Sequence, residues 1–310
     1  MEIMKLVPTG KDYLWGGTRL REEYGKKIDL TPLAETWECS AHPDGPSYIA
    51  NGEFKELALV DVLKQHPKYI GTKVEDGKLP VLVKKDLSVQ VHPDDAYARE
   101  HEGDNGKTEM WYVVDADEGA HLIYGFQHKV TEEILRKAVE TGTLDKHLQK
   151  VEVHKGDTYF VPAGTVHGIG KGILVAEIQE SSNVTYRVYD YNRVDKNGKK
   201  RELNFDKAVQ VMDMSVAPDV SQKPRMVKHY PGCSREILCR CKYFETEKIQ
   251  VTKGFAFSVM DTSFQVLMCL ETMDAEQKPM RFSKGETLFL PAGLGRCLVV
   301  GDAELIKVRC

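Results

Sequence analysis

Residues 155–168 read KGDTYFVPAGTVHG, and residues 284–297 read KGETLFLPAGLGRC. Seven of these fourteen positions are identical, and two more exchange Asp for Glu and Val for Leu. Each copy begins with a turn at K-G-[D/E] and continues as a short strand, a second turn at P-A-G and a returning strand. The repeat therefore predicts two related β units in one chain.

The remaining sequence adds further strands and a few helices. Strands are predicted over 81–91, 111–114 and 121–126, and helices over 56–65, 131–140 and 204–212, with a short one starting near Asp94. Thr131 is the predicted cap of the 131–140 helix, and Ile134, Leu135, Ala138 and Val139 its buried stripe. The Pro-containing stretch 215–226 is the best linker, which predicts domains 1–214 and 215–310.

Composition restricts the classes of function. The chain has 310 residues and a formal net charge of -4, so a nucleic-acid partner is not expected. It has no apolar run of membrane-spanning length and no apolar signal core near its start, which predicts a cytoplasmic protein without a membrane partner. Seven cysteines, an odd number, favour a reducing compartment. Cys239 and Cys241 form a lone C-x-C, which is a weak metal signal.

The two repeat copies differ where chemistry is expected. The first copy has His167 where the second has Arg296. Because imidazole binds divalent metals and guanidinium repels them, only the first unit is expected to hold a metal. Gln90 and His92 lie two residues apart on a predicted strand, so their side chains leave the same face. Glu109 begins the next predicted strand.

Several separated motifs resemble one known family. They are Leu14-Trp-Gly-Gly17, Ala34-Glu-Thr-Trp-Glu38, Leu87-Ser-Val-Gln-Val-His-Pro-Asp-Asp95, Lys107-Thr-Glu109, Pro162-Ala-Gly-Thr-Val-His167 and Ser182-Asn-Val-Thr-Tyr-Arg187. In this order they resemble the short bacterial form of the type I mannose-6-phosphate isomerases of the cupin superfamily. The resemblance covers residues 5–215 well and the second unit more loosely. It implies a mainly β fold of two cupin-type jelly-roll barrels with a few inserted helices.

The resemblance also implies a metal and its ligands. In this sequence the matching ligand positions are Gln90, His92, Glu109 and His167, and the implied metal is one zinc ion per chain. Oxygen and imidazole ligands suit zinc, and a single carboxylate leaves the site with net positive charge. The implied activity is an aldose–ketose isomerisation between mannose 6-phosphate and fructose 6-phosphate through an enediol, which needs no redox cofactor. The substrate is thus a sugar phosphate, and the oligomeric state, monomer or dimer, stays open.

Further residues match the family by motif. Lys107 corresponds to the lysine of its K-x-E, Arg187 to the arginine that ends its S-D-x-x-x-R, and Glu177 to a second active-site acid. These three are the predicted catalytic residues, without an assignment of the general base. Arg193, Lys199 and Lys200 are available for the phosphate, although charged residues near a turn are usually only solvated.

The chain departs from the family pattern at two places. Asn183 stands where the family usually has an aspartate, so proton transfer here must use another group if that acid takes part. The segment before Asp86 is also several residues short, which affects the predicted cavity wall and sugar preference but not the ligands.

Two other functions compete with the isomerase. One is a different metal-dependent cupin enzyme, such as an iron or manganese oxygenase, which usually offers more histidines and for which a Gln ligand is unusual. The other is a non-catalytic, sugar-binding metal cupin, which has no need of Lys107, Glu177 and Arg187. Activity without oxygen separates the isomerase from the oxygenase.

Overall fold

A computed structural model describes residues 1–13, 16–74, 81–84, 89–191, 193, 198, 200–274 and 281–310, with the backbone alone for 81–84 and 272–274. The motif residues Leu14 and Trp15, the strand residue Leu87, residues 85–88 of the short segment and Lys199 lie outside this range. Internal contacts divide the chain into two compact units. We call Tyr13–Gly16 with Lys84–Gln222 the central unit, and Met1–Asp12, Gly17–Val83 and Lys223–Cys310 the terminal unit.

Strands dominate the described residues. In chain order they are β1 Met4–Val7, β2 Thr9–Lys11, β3 Glu35–Cys39, β4 Tyr48–Ile49, β5 Val81–Lys84, β6 Val89–Val91, β7 Glu109–Ala116, β8 His121–Phe126, β9 Leu148–Glu152, β10 Thr158–Val161, β11 His167–Ile169, β12 Ile173–Gln179, β13 Tyr186–Tyr189, β14 Val227–Tyr230, β15 Cys233–Arg240, β16 Glu245–Val251, β17 Gly254–Val259, β18 Gln265–Asp274, β19 Thr287–Leu290, β20 Gly295–Val300 and β21 Asp302–Arg309. The helices are α1 Arg19–Glu22, α2 Leu59–Gln65, α3 Asp95–His101, α4 Glu132–Glu140 and α5 Phe205–Val211.

The central unit is built on two groups of antiparallel strands. β10, β7 and β12 lie side by side, and a second sheet has the order β13-β6-β11-β8-β9. Trp111 of β7 and Tyr124 of β8 belong to one buried cluster, so side chains of both sheets share a core. Val91 of β6 belongs instead to a second cluster with Leu135 of α4 and Ala208 of α5. Because strand side chains alternate, Gln90 faces away from these helices and into the inner layer.

The terminal unit is also built from two groups of strands that share a buried core. Its main sheet has the order β14-β15-β16-β21-β18-β19-β1-β4, and β17 pairs with β20 in a separate ribbon. Phe255 of β17, Leu267 of β18 and Leu305 of β21 lie in one buried cluster, so both sheets contribute to the core. Apolar side chains fill this core, consistent with hydrophobic burial as the main source of its stability.

The internal repeat forms the same local structure twice. Gly156 and Gly285 open the two copies with φ of 96° and 81°, a region that side-chain-bearing residues rarely adopt. β10 and β19 follow, each leading to a P-A-G turn and a returning strand, β11 or β20. The predicted mainly β fold with a few helices is confirmed, although the described strand pairings form open sheets rather than closed barrels.

The predicted helices are confirmed with shifted ends. α2 starts at Leu59 rather than at residue 56, because Glu56 has a φ of 73°, which no right-handed helix allows. Thr131 caps α4 by accepting the N–H of Ile134, as predicted. Ile134 itself is 41% exposed, so its assignment to the buried stripe was wrong. Leu135 and Ala138, three residues apart, face the core, and Ile134 lies beside that stripe.

The compact units divide the chain differently from the predicted domains 1–214 and 215–310. Residues 1–12 and 17–83 group with the C-terminal segment, because β1 pairs with β19 through Met4 and Phe289. This pairing joins distant parts of the chain, so it could not be predicted from the composition of any local segment. The division of roles between the two predicted domains stays a prediction. Among the described helices, none has the length and apolar character required to cross a membrane.

The two turn glycines give a matched test of the repeat. A Cβ at Gly285 would lie 2.4 Å from the carbonyl oxygen of Tyr24, whereas among the described residues a Cβ at Gly156 meets nothing within 4 Å. We expect Gly156→Ala to lower the free energy of unfolding by about 1–2 kcal/mol, the cost of placing a side chain on left-handed backbone. Gly285→Ala should lower the free energy of unfolding by roughly 1–3 kcal/mol more, because the added Cβ overpacks against Tyr24. Chemical unfolding of both variants measures the difference, and equal losses would contradict the close packing at Gly285.

Candidate metal centre

Strand pairing brings the four predicted ligands to one place in the central unit. His167 on β11 is directly opposite Gln90 on β6 in the antiparallel register. His92 follows β6 immediately, and its carbonyl accepts the N–H of Gly164, from the turn that precedes His167. Glu109 is the first residue of β7. Gln90, His92, Glu109 and His167 are at most 3% exposed, so they form a buried polar group.

The side-chain atoms of this group lie close together. One ligand atom each from His92, Glu109 and His167 falls within 4.8 Å of the others. Nε2 of His92 is 3.1 Å from Glu109 Oε1, and Nε2 of His167 is 3.7 Å from Glu109 Oε2. Such spacing around a common centre is what a single metal ion requires of its ligands.

The amide of Gln90 completes the group. Its Nε2 lies 3.3 Å from His92 Nε2 and 3.2 Å from His167 Nε2. A half-turn of the amide exchanges its nitrogen and oxygen, so Oε1 can take the same position and offer a lone pair. Gln90 can therefore serve as a neutral oxygen ligand.

Both imidazole rings are oriented by backbone carbonyls. His92 Nδ1 lies 2.8 Å from the carbonyl oxygen of Val184, and His167 Nδ1 lies 2.8 Å from that of Thr165. A carbonyl only accepts, so each Nδ1 carries the proton and donates it. The tautomer is thereby fixed, and each Nε2 directs its lone pair at the centre of the group.

The charge states suit a cation. Burial, followed by the positive charge of Lys107, lowers the pKa of His92 to about 3, so its ring is neutral near pH 7. Burial acts to raise the pKa of Glu109, but Lys107 and the two histidines outweigh it and hold that pKa well below its usual range. Neutral imidazole and ionised carboxylate are the forms that bind metal. The donor set, the tautomers and the charges thus fit a divalent metal such as zinc.

A lysine and a second carboxylate adjoin this group. Lys107 Nζ lies 2.7 Å from Glu109 Oε1 and 3.9 Å from Glu177 Oε1. Lys107 and Glu177 are 1% and 0% exposed, which is rare for charged residues unless they are paired. β7 begins at Glu109 and does not extend back to Lys107, whose N–H instead donates to the carbonyl of Pro93. Nζ of Lys107 nevertheless lies 3.4 Å from Nε2 of His92.

Trp111 is a site residue that the sequence reasoning missed. Its indole Nε1–H lies 3.0 Å from Glu109 Oε2 and 3.1 Å from Glu177 Oε2, so the donor is shared by the two carboxylates. The ring also meets the edge of His167, with centroids 5.3 Å apart. A signal was available, since a residue two positions after Glu109 on a strand shares its face.

Arg187 lies beside the group. It is opposite Gln90 on β13, and residues paired in this way project from the same face of a sheet. Its guanidinium donates to the carbonyl of Glu202 at 2.8 Å and is half-buried. Burial, together with the nearby Arg201, lowers the pKa of Arg187 from its ordinary value.

Other predicted positions lie apart from the centre. Arg193 donates from Nε to Asp190 Oδ1 at 3.0 Å, and Arg201 donates to the other oxygen of the same carboxylate at 2.7 Å. Asn183, at the departure from the family pattern, donates its backbone N–H to Asp104 Oδ2 at 3.4 Å. Arg193 is thus engaged in a local ion pair, and its predicted phosphate contact stays a prediction.

Comparison with known families gives two matches. Residues 3–122 match the model for the phosphomannose isomerase type I catalytic domain. Residues 235–310 match the model for the mannose-6-phosphate isomerase cupin domain. The cupin-type fold predicted from the sequence is confirmed by the second match and by the structural likeness below.

Individual relatives resemble the chain along nearly its whole length. It is 39% identical to a mannose-6-phosphate isomerase of Streptococcus mutans, covering 94% of this chain and 93% of the relative. It is 37% identical to the mannose-6-phosphate isomerase ManA of Bacillus subtilis, covering 98% of each.

Solved structures resemble it as well. A mannose 6-phosphate isomerase from Bacillus subtilis superposes with a TM-score of 0.89 at 34% identity, covering 99% of both chains. A phosphomannose isomerase from Salmonella typhimurium superposes with a TM-score of 0.76 at 15% identity, which shows the shared fold alone. From the family matches and the near full-length relatives it follows that this chain belongs to the type I phosphomannose isomerase family.

Proposed function

We propose that the chain interconverts mannose 6-phosphate and fructose 6-phosphate through an enediol, with one zinc ion per chain. The observation that carries this proposal is the buried convergence of His92, Glu109 and His167 beside a lysine–carboxylate pair. Relatives named as mannose-6-phosphate isomerases support the reaction, and one of them is 39% identical. A cytoplasmic location stays a prediction.

The metal would be held by Gln90, His92, Glu109 and His167. When bound, zinc supplies a Lewis acid that polarises the sugar oxygens next to the carbonyl. The Nδ1–H groups of His92 and His167 donate to backbone carbonyls, and these hydrogen bonds hold both Nε2 atoms toward the metal position. Because one carboxylate is the single charged ligand, the site keeps net positive charge toward an enediolate.

Proton movement needs groups near the metal. In the aldose-to-ketose direction a base removes the proton from C2, the carbonyl oxygen on C1 gains a proton, and the enediol results. The hydroxyl on C2 then loses its proton while C1 gains one, which gives the ketose. Lys107 and Glu177, whose nearest charged atoms are 3.9 Å apart, are the groups placed to carry these protons.

The indole of Trp111 orients the carboxylate of this pair. It donates to Oε2 of Glu177, which leaves Oε1 facing the Lys107 ammonium. Arg187 supplies a fixed positive charge on the face that carries Gln90, where it can stabilise the enediolate or hold the substrate.

Metal dependence gives the first test. A coupled assay with mannose 6-phosphate should lose its activity after treatment with a chelator and recover it with zinc, and elemental analysis should find one zinc per chain. Turnover should continue without oxygen, which an oxygenase would not permit. Full activity of the metal-free protein, or recovery with iron but not with zinc, would contradict the zinc assignment.

Two substitutions separate metal binding from the reaction. His167→Ala should abolish both metal content and activity, because it removes a ligand from the buried group. Arg187→Ala should keep the metal and lower kcat by about 10²–10³-fold, the usual effect of removing one stabilising group. Metal content and kcat are measured on both variants. An Arg187→Ala variant with unchanged kcat would remove this residue from the mechanism.

Solvent exchange tests the enediol and the proton carriers together. In D2O, an enediol route should place deuterium at C2 of the mannose 6-phosphate formed from fructose 6-phosphate, detected by NMR. Lys107→Met and Glu177→Gln should lower kcat by about 10²–10⁴-fold and slow this incorporation. Lys150→Met, at an exposed lysine on β9, is the matched control and should change neither rate. Turnover with no deuterium incorporated would favour a hydride shift instead.

A further inference from the structure

The strand register of the terminal unit reproduces that of the metal centre. In the central unit Val161 of β10 pairs with Glu109 of β7. In the terminal unit Leu290 of β19, the repeat counterpart of Val161, pairs with Gln265 of β18. Gln265 therefore stands at the position of Glu109.

A hydrogen bond fixes a second equivalence. The N–H of Gly164 donates to the carbonyl of His92 at 2.8 Å. The N–H of Gly293, its repeat counterpart, donates to the carbonyl of Met260 at 2.9 Å. Met260 therefore stands at the position of His92.

The returning strands give a third equivalence. His167 on β11 pairs with Gln90 on β6. Arg296, the counterpart of His167, pairs with Ser258 on β17. Ser258 therefore stands at the position of Gln90, and all four ligand positions carry other residues here: Ser258, Met260, Gln265 and Arg296.

A pocket opens at this place. Its volume is about 270 Å³, close to the lower end of the usual range for small-molecule sites. Ser258, Met260 and Gln265 all line it. Met260 is 61% exposed, whereas His92 is buried, so these positions border an open pocket here rather than a buried centre.

The lining of this pocket is cationic. Four positively charged side chains border it, against one carboxylate: Lys73, Arg240, Lys242 and Arg309, against Glu245. Glu245 pairs with Arg240 and with Arg309. Arg and Lys side chains in such an arrangement favour phosphate oxygens.

One polar atom that lines the pocket lacks a protein partner among the described residues. Gln265 is 6% exposed, and its Nε2 donates to the carbonyl of Ser258 at 3.1 Å. Among the described residues its Oε1 accepts no hydrogen bond. Buried acceptors are nearly always satisfied, so this oxygen calls for a donor such as a ligand hydroxyl.

We propose that this pocket of the terminal unit binds a small phosphorylated sugar or polyol without reacting with it. The phosphate contacts the basic side chains around Lys73 and Lys242, and a hydroxyl donates to Oε1 of Gln265. No imidazole or carboxylate stands at the positions equivalent to Gln90, His92 and Glu109, so the pocket carries binding and no metal-assisted step.

Equilibrium dialysis tests the pocket apart from catalysis. The probe is a pre-equilibrated mixture of mannose 6-phosphate and fructose 6-phosphate, so turnover changes nothing during the measurement. The native protein should bind about two molecules per chain when the active site and the pocket are both filled. Lys73→Ala/Lys242→Ala and Gln265→Met should each weaken the second site by about tenfold or more and leave kcat unchanged.

Matched controls decide the outcome. Lys228→Ala/Lys253→Ala removes two exposed lysines of the same unit that do not line this pocket, and it should bind as the native protein does. Inorganic phosphate and mannose, tested separately, should each bind more weakly than the sugar phosphate. Unchanged binding by the pocket variants, or equal binding of phosphate alone, would overturn the proposal. None of these results depends on whether the isomerase reaction occurs.

Discussion

The orientation of two imidazole rings is the constraint on which the candidate metal centre depends. Val184 and Thr165 offer backbone carbonyls at 2.8 Å from the Nδ1 atoms of His92 and His167. Backbone carbonyls in a folded loop cannot rotate as side chains do. They therefore fix the two tautomers, and no side-chain carboxylate is needed to accept the Nδ1–H hydrogen bonds. If either ring turned over, Cε1–H would take the place of Nε2, so the lone pair would leave the centre and Glu109 would face a C–H instead. The site is thus set by the backbone before any metal arrives.

Because the charged residues of the site are buried, each of them needs a partner of opposite charge. Glu109 and Glu177 are two carboxylates with no exposure to water, and Lys107 is the cation between them. A buried charge without a partner costs several kcal/mol or more, so these groups stabilise the fold only as a set. The indole N–H of Trp111, shared by both carboxylates, reduces their mutual repulsion and fixes their orientation. Lys107 and the two histidines hold the pKa of Glu109 well below its usual range, so this carboxylate stays ionised.

Much of this site could be predicted from the sequence, because the two-residue period of strands and the internal repeat identify several of its residues. The two-residue spacing of Gln90 and His92 places both side chains on one face, and the repeat singles out His167 as the position that differs from Arg296. The reach of Lys107 could not be derived in the same way, because it depends on the Pro93 carbonyl and not on a continuing strand. The neighbourhood of Arg187 and Gln90 arises from pairing between distant strands, which a single sequence does not encode locally. Trp111 was missed although its spacing from Glu109 was informative.

The pairing of β1 with β19 affects the order in which the chain can fold. Met4 and Phe289 are partners in one sheet, and they come from opposite ends of the polypeptide. During synthesis β1 emerges long before β19, so the terminal unit cannot complete its main sheet until β19 has also left the ribosome. The central unit, built almost entirely from one continuous stretch, has no such delay. The central unit, which holds the candidate metal centre, can therefore fold while β1 still lacks its partner strand.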